Sequence, residues 1–516
     1  MQKPLSPAQP GLSTRLRLYL YLTAATTGAA IMIVEILGAK MLSPFIGTSH
    51  FVWTAQIAVT LVALACGYYV GGKLADRSQK LAALYWAILA AAAYLVLTVL
   101  ICEPVAYWCL DFNLAVGSLL ASAFLFFIPL GLLAMTGPFL IRVLTSTVAG
   151  VGGNVGRLTA IGTFGSFIGT LLIGYLMLPL LPNSTSMYLT AGVLLLICAV
   201  YFAAFHRRPA PVIVLLLLAA GTGVLLVRGE SRHYESLTER FSGNSHFGQI
   251  QVLDHSDGHY RIYSNDNLTQ NTYDPIRKQS ASTFTYMLAG LARAYTTNIH
   301  DVLCIGMGVG IVPMEFAREG AKVDVVEINP AIVPVAVKFF DLEPARFRLV
   351  IDDGRHFLNR ATNQYDVVVL DAFLGDSSPS HLMTVEAFAS IQKVLRPGGT
   401  LVINAFCELE RGRDFFAASL NKTLQAVFPG VRMHFSGGQT YFVATDRPEP
   451  TFIHAPDFNG LHPQVQTAAV QAYQTIVNTL PERGRVLTDD YNPVEFYDAH
   501  NRESVRRLLA LSAKRH

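Results

Sequence analysis

The sequence predicts a two-part chain, a multi-pass α-helical membrane domain followed by an α/β, Rossmann-like domain with a small N-terminal β-hairpin unit. Three observations predict it. Apolar stretches of membrane-spanning length crowd residues 1–228. The composition becomes that of an ordinary globular domain from residue 229. Strand and helix patterns then alternate from residue 301, and the first four strands end on glycine or acidic residues. The charge count divides at the same place, with 12 Lys/Arg against 4 Asp/Glu in residues 1–228 and 27 against 32 in the rest. The formal net charge of +3 therefore hides a cationic, apolar half and a mildly acidic half. Basic residues set between apolar runs orient a membrane protein and need no nucleic acid to explain them.

Seven apolar stretches, centred near residues 27, 61, 91, 125, 168, 195 and 219, reach the roughly 17–25 residues that a hydrocarbon core takes. Arg15 and Arg17 precede the first in the manner of a signal peptide. Six further spans and the lack of a clear small-residue cleavage site argue for a retained helix. Lys/Arg fall in the N-terminal tail (Lys3, Arg15, Arg17) and in alternate loops (Lys73, Arg77, Lys80; Arg142, Arg157; Arg207, Arg208), which places the N-terminus in the cytoplasm. Seven crossings would then leave the C-terminal domain outside, away from nucleotide pools. The last stretch, Val212–Val227, is short and holds Gly221-Thr222-Gly223, so a re-entrant or interfacial segment is the alternative. On metabolic grounds a cytoplasmic catalytic domain is favoured.

Within the spans, Gly67-x3-Gly71-Gly72 permits close helix approach. Gly72–Arg77 looks like the short loop signature of major-facilitator transporters, and Glu35 is a lone acid deep in an apolar run. Six cysteines form no CxxC pair. Cys102 and Cys109 flank a short inter-helix loop, where a disulfide needs an oxidising compartment.

The soluble part divides into a β-hairpin unit with a connecting helix (229–290), the Rossmann-like domain (291–450) and a helical extension (451–516). Gln249–Asp254 and Tyr260–Ser264 read as strands about the turn Ser256-Asp257-Gly258. Asp301–Ile305 reads as a buried strand entering Gly306-Met307-Gly308-Val309-Gly310 and a helix from Ile311 to Glu319. Lys322–Val326 ends on Glu327, Arg348–Ile351 on Asp352-Asp353-Gly354, and Asp366–Leu370 on Asp371. Thr400–Asn404 follows a turn at Arg396–Gly399, and Arg432–Ser436 with Thr440–Thr445 form a closing hairpin.

Open α/β sheets bind ligands beyond the carboxyl ends of their strands. Gly306, Gly308 and Gly310 form the loop, and Glu327, 21 residues after Gly306, is placed to accept both ribose hydroxyls. Asp353 is placed to accept from an adenine amino group. Helix capping alone would explain Asp353 but not the set. The glycine loop lacks the GxGxxG continuation that seats a pyrophosphate on a helix N-terminus, which favours a sulfonium nucleoside over a dinucleotide. The fold expected is therefore of the class I methyltransferase type.

These residues resemble the spermidine synthase family. The resemblance covers roughly residues 235–445. It is carried by Leu268-Thr269-Gln270, Met287-Leu288-Ala289, Val325–Asn329, Asp353-Gly354-x-x-Phe357-Leu358, Tyr365–Asp371 and Leu395–Gly399. Fusion to a multi-span N-terminal region resembles a bacterial branch of that family. The resemblance implies that Glu327 holds the ribose and Asp353-Gly354 the adenine. It makes Asp371 the proton acceptor and Asp376 the second acid of the catalytic loop. It places Gln270 and Pro379 at the substrate. It implies transfer of the aminopropyl group of decarboxylated S-adenosylmethionine to a diamine such as putrescine, giving spermidine and methylthioadenosine. The donor is a co-substrate; no prosthetic group and no metal are expected. The implied partners are the polyamine, the adenosyl donor and a lipid bilayer, and the family allows a homo-oligomer. The sequence departs from the family at Val309, where the glycine loop usually carries a polyamine-binding acid, and at Phe284-Thr285-Tyr286, where the family has Tyr-His-Glu. The stretch from Asp371 to Asp376 is two residues longer. The acidic run Thr488–Pro493 is a candidate source of replacement contacts.

Two other readings stand beside this one. An S-adenosylmethionine-dependent methyltransferase would use the same sheet, although Asp371 is followed by Ala372-Phe373 and not by the Pro-Pro-aromatic motif of amino-group methyltransferases. A transporter or sensor would use the soluble domain only to bind an adenosyl ligand.

Overall fold

The computed structural model of the protein describes residues 12–47, 50–145, 151–206, 221, 223–224, 236–373, 379–436, 439–478 and 483–497. The chain forms two compact units, divided at Arg232/His233. Among the described residues, six helices are long and apolar enough to cross a membrane: α1 (Thr14–Ile46), α2 (His50–Arg77), α3 (Leu81–Cys109), α4 (Leu114–Leu144), α5 (Val151–Leu180) and α6 (Asn183–His206). Most of the seventh apolar stretch, Val212–Val227, lies outside the described residues.

Helices in this unit approach closely where side chains are missing. A Cβ at Gly67 would lie 2.2 Å from the Gly131 carbonyl oxygen, and one at Gly71 would lie 2.7 Å from Met135 Cα. So the Gly67/Gly71 pair of α2 seats α4 directly. The same device joins α5 to α1, where a Cβ at Gly165 would lie 2.0 Å from the Ala25 carbonyl. Pro129 in α4 removes an N–H that would otherwise bond the Leu125 carbonyl, and the turn before it, Ala123–Phe127, widens to a π-helix. Thr98 Oγ1 of α3 donates to that carbonyl at 3.0 Å, and Tyr94 donates to the Phe124 carbonyl at 2.6 Å. A side chain of the neighbouring helix thus meets the carbonyl that the proline leaves open.

Two sequence expectations fail in this unit. Cys102 and Cys109 do not flank a loop. Both lie in α3, both are free thiols, and seven residues of helix separate them by about 10 Å along the axis. A disulfide spans at most about 7 Å between Cα atoms. Gly72–Arg77 is not a loop either, since α2 continues helically through Arg77. Asp76 there meets Arg142 of α4 at 3.3 Å, an exposed pair that contributes little stability.

The second unit holds two sheets. The first is an antiparallel meander of β1 (Leu237–Ser245), β2 (Gly248–His255), β3 (Arg261–Asn265), β4 (Leu268–Asp274) and β5 (Gln279–Ser280). Five strands stand where the sequence reading placed two. β4 reads Leu-Thr-Gln-Asn-Thr-Tyr-Asp, with no apolar alternation, because its Thr269–Asn271 segment borders a cleft and not a core. Asp266 and Asn267, at φ of 46° and 62°, make the β3–β4 turn with both central residues left-handed.

Helix α7 (Thr283–Tyr295) leads into the second sheet. Its parallel part contains β6 (Asp301–Ile305), β7 (Lys322–Glu327), β8 (Arg348–Ile351), β9 (Tyr365–Leu370) and β10 (Leu395–Phe406). The connecting helices are α8 (Ile311–Arg318), α9 (Ile332–Phe339), α10 (Gly354–Arg360) and α11 (Val385–Val394). Then α12 (Phe415–Gln425) precedes β11 (Gly430–Ser436) and β12 (Gln439–Thr445). The Gly437-Gly438 turn between them lies outside the described residues. α13 (Gln466–Gln474) and β13 (Ile476–Val477) follow. The eight strands lie in the order β13-β11-β12-β10-β9-β6-β7-β8. The extension expected to be helical thus contributes an edge strand, with Val477 opposite Met433. Buried Val, Leu, Ile and Phe residues cover both faces of the sheet, as parallel strands require. The strand order reverses between β6 and β9, which opens a crevice at their carboxyl ends.

Candidate active site

A cleft opens at those carboxyl ends. It is walled by the ends of β6 to β10 on one side and by β3, β4 and the start of α7 on the other. Gly306 continues β6 at φ 93°, and its N–H bonds the Val326 carbonyl at 2.8 Å. A Cβ there would sit 2.2 Å from the Asp371 carbonyl oxygen, so only glycine lets the β6 loop lie against the end of β9. Gly308 lines the cleft beneath Asn271 of β4. Gly310 does not line it; at φ 85° it starts α8 and packs against Leu342.

Glu327 ends β7 with its carboxylate buried. Oε2 accepts the Met307 N–H at 2.9 Å and Oε1 accepts the Asn329 N–H at 2.8 Å. Burial raises its pKa and those N–H bonds oppose the rise. These bonds fix the carboxylate in orientation at the wall of the cleft. Asp353 caps α10, with Oδ1 accepting the N–H groups of Arg355 and His356 at 2.8 and 3.1 Å. Its Oδ2 meets His381 Nε2 at 2.9 Å. Burial raises its pKa, but the backbone N–H bonds and His381 outweigh burial and hold the carboxyl below the usual carboxylate range. Asp353 therefore does cap a helix, and it also lines the cleft. Gly354 fits because a Cβ would meet Ile305 Cγ2 at 2.5 Å.

Asp371 stands where β9 ends, its N–H bonded to the Ile305 carbonyl at 2.9 Å. Burial pushes its carboxyl up to about 6, against a hydrogen bond from Asn404 Nδ2 at 3.0 Å. An acid tuned to that range is ionised near neutrality yet basic enough to take a proton. Gln270 and Pro379 line the cleft as well, while Asp376 lies outside the described residues.

Several lining residues escaped the sequence reading. Asn404 orients Asp371, His381 pairs with Asp353, and Phe373 and Phe406 meet with ring centroids 5.2 Å apart. Asn404 had a usable signal, since it is the polar residue that ends a predicted strand, as Glu327 and Asp371 do. His381 had none, because it lies in a single 3₁₀ turn, Ser380–Leu382, too short to carry a pattern. The acidic run at 488–493 stays out of the cleft. Asp489 binds Arg355 at 3.0 Å and Thr384 at 2.7 Å, and Asn492 donates to the Ser380 carbonyl at 2.9 Å, bracing the segment behind His381.

Residues 282–441 match the model of the spermine/spermidine synthase domain. They belong to the spermine/spermidine synthase family. Among curated relatives, a polyamine aminopropyltransferase of Vibrio vulnificus is 35% identical over 125 residues, 23% of this chain and 41% of that one. An N-terminal histidine N-methyltransferase of Emericella nidulans is 27% identical over 210 residues, 36% of each chain. The chain thus spans less than half the length of these relatives. A spermidine synthase in complex with the transition-state analogue AdoDATO superposes with a TM-score of 0.37 and 19% identity, over 45% of this chain and 84% of that one. Synthase-like and methyltransferase-like proteins therefore both resemble this domain.

Proposed function

We propose that this chain is a membrane-embedded aminopropyltransferase that moves the aminopropyl group of decarboxylated S-adenosylmethionine to an amine. The observation that most supports this is Asp371, a carboxyl held near pKa 6 at the end of β9, in one cleft with Glu327 and Asp353. Glu327 would accept the ribose hydroxyls. Asp353-Gly354 would meet the adenine, with His381 fixing the Asp353 carboxylate. Gln270 and Pro379 would flank the substrate, and Asp376 would be the loop's second acid.

An ammonium has no lone pair, so Asp371 first takes a proton from it. The freed nitrogen pair attacks the aminopropyl methylene. A C–N bond forms, the C–S bond breaks, and its electron pair returns to sulfur, leaving neutral methylthioadenosine. The sulfonium is already an activated leaving group, so the chain's task is to hold nitrogen, carbon and sulfur in line. The acceptor that the family resemblance implies is a diamine such as putrescine, with spermidine as product.

Membrane embedding rests on the six apolar helices and their Lys/Arg distribution. Purified full-length protein incubated with amines and decarboxylated S-adenosylmethionine should release methylthioadenosine. Release of adenosylhomocysteine from S-adenosylmethionine, with no methylthioadenosine from the decarboxylated donor, would instead establish a methyltransferase.

A further inference from the structure

Asp353 and His381 meet at one end of the cleft but come from different parts of the chain. Asp353 opens α10, and its Oδ1 accepts the Arg355 and His356 N–H groups. His381 lies in the turn Ser380–Leu382, just before Thr384, the residue that caps α11. The turn lies against α10 at Gly354, where a Cβ would stand 3.5 Å from Leu382.

The segment 487–494 ties these two parts together from behind. Leu487 is buried, its N–H on Thr423 Oγ1 and its carbonyl on the Val385 N–H, each at 2.9 Å. Thr488 and Tyr491 then close a tight turn, the Thr488 N–H reaching the Tyr491 carbonyl at 3.1 Å and the Tyr491 N–H reaching Thr488 Oγ1 at 3.0 Å. That turn presents Asp489. One of its oxygens accepts the Thr384 hydroxyl at 2.7 Å, the other accepts Arg355 Nη2 at 3.0 Å, and its own N–H bonds Glu386 Oε2 at 3.0 Å. Asn492 holds the residue before His381, donating to the Ser380 carbonyl at 2.9 Å. A single carboxylate thus bridges the start of α10, which carries Asp353, and the start of α11, which carries His381 just ahead of it.

We infer that Asp489 and Asn492 are positioning residues of the nucleoside site, which set the Asp353–His381 pair and through it the preference for a 6-aminopurine. This rests on the reading that Asp353 meets the adenine. An ionised carboxylate only accepts hydrogen bonds, so it pairs with a 6-amino group and repels the oxygen of a 6-oxo group. That discrimination needs the carboxylate held in one orientation by its supporting neighbours. Oδ1 is held by α10 itself, whereas Oδ2 is held by His381, so the orientation depends on where the Ser380–Leu382 turn stands relative to α10. Asp489 bonds both sides of that gap. It is itself half-exposed, so its pair with Arg355 adds little to overall stability. Leu487 and Val494, both buried, anchor the segment without it.

The test is titration calorimetry of the full-length protein with methylthioadenosine and with its 6-oxo counterpart, methylthioinosine. Wild type should prefer the 6-amino ligand roughly tenfold or more. Asp489→Ala should narrow that preference roughly threefold or more by weakening methylthioadenosine, without weakening methylthioinosine. Equal weakening of both ligands, as a merely structural role would give, or unchanged binding of both, overturns the inference. Asn492→Ala should act in the same direction and decides the matter if Asp489→Ala does not fold. In a His381→Ala background Asp489→Ala should add little further loss, because its action runs through His381; full additivity also overturns the inference. Asp353→Asn tests the reading beneath it. A wild type without preference, or a preference kept in Asp353→Asn, takes Asp353 away from the adenine, and both fall. A preference lost in Asp353→Asn but kept in Asp489→Ala and Asn492→Ala removes the positioning role alone.

Discussion

Asp371 shows how function can oppose stability in one residue. Its folded pKa, about 6, lies above the ordinary aspartate value of 3.8. The folded state therefore keeps a proton between about pH 4 and 6 that the unfolded chain has lost. The stability of that protonated form is complete below about pH 4 and declines as pH rises through 6. At neutral pH the ionised carboxylate is thus destabilising, by about 1–2 kcal/mol once the water of the open cleft is allowed for. Asp371→Asn should raise the melting temperature at pH 7.5 while lowering kcat by about a hundredfold or more. A variant that melts lower than wild type, or that turns over at the wild-type rate, refutes the assignment. In the wild type, kcat/KM should fall below about pH 6 as the base is protonated; a flat profile from pH 5 to 8 would point to another base. Glu327→Gln tests the nucleoside end. It puts an N–H donor where Met307 or Asn329 already donates, so methylthioadenosine binding should weaken by about 10–100-fold. Titration calorimetry would show it, and unchanged affinity would remove Glu327 from the ribose.

At the scale of elements, the strands were legible and the walls facing them were not. Asp301–Ile305 reads from the sequence as it stands in the fold, because a strand buried on both faces is a short apolar run ended by a turn residue. Glu327, Asp353 and Asp371 were legible for the same reason, as polar residues that close apolar runs. β4 was not, because a strand that borders a cleft carries Thr, Gln and Asn and loses its alternation. β13, two residues long, has no pattern to read. In the helical unit the Gly67/Gly71 spacing was visible, but spacing alone does not name its partners Gly131 and Met135 on α4. The α1–α5 contact tests that packing rule. Gly165→Val would drive a side chain into the Ala25 carbonyl and should cost about 1–3 kcal/mol. Gly192→Val, in open space on α6, serves as the control. Thermal unfolding in detergent should separate the two, and equal losses would show that helix propensity and not the contact governs.

At the scale of the whole molecule, the question is on which side of the bilayer the cleft works. Lys and Arg gather in the N-terminal tail, about the α2–α3 and α4–α5 junctions and after α6, and the positive-inside rule would put those segments on the cytoplasmic side. Six crossings return a chain to the side on which it began, and six apolar helices of spanning length are described before residue 207. The stretch 212–227 would reverse the outcome only by crossing. It is short for a span, and Arg207 and Arg208 before it are matched by Arg228 after it, so the charges at its two ends do not drive it across. The cleft is thus expected in the cytoplasm. In oriented membrane vesicles, protease should digest residues 236–497 when the cytoplasmic face is outward and spare them when it is inward. Digestion only in the opposite orientation would make 212–227 a seventh span and would require the adenosyl donor outside the cell.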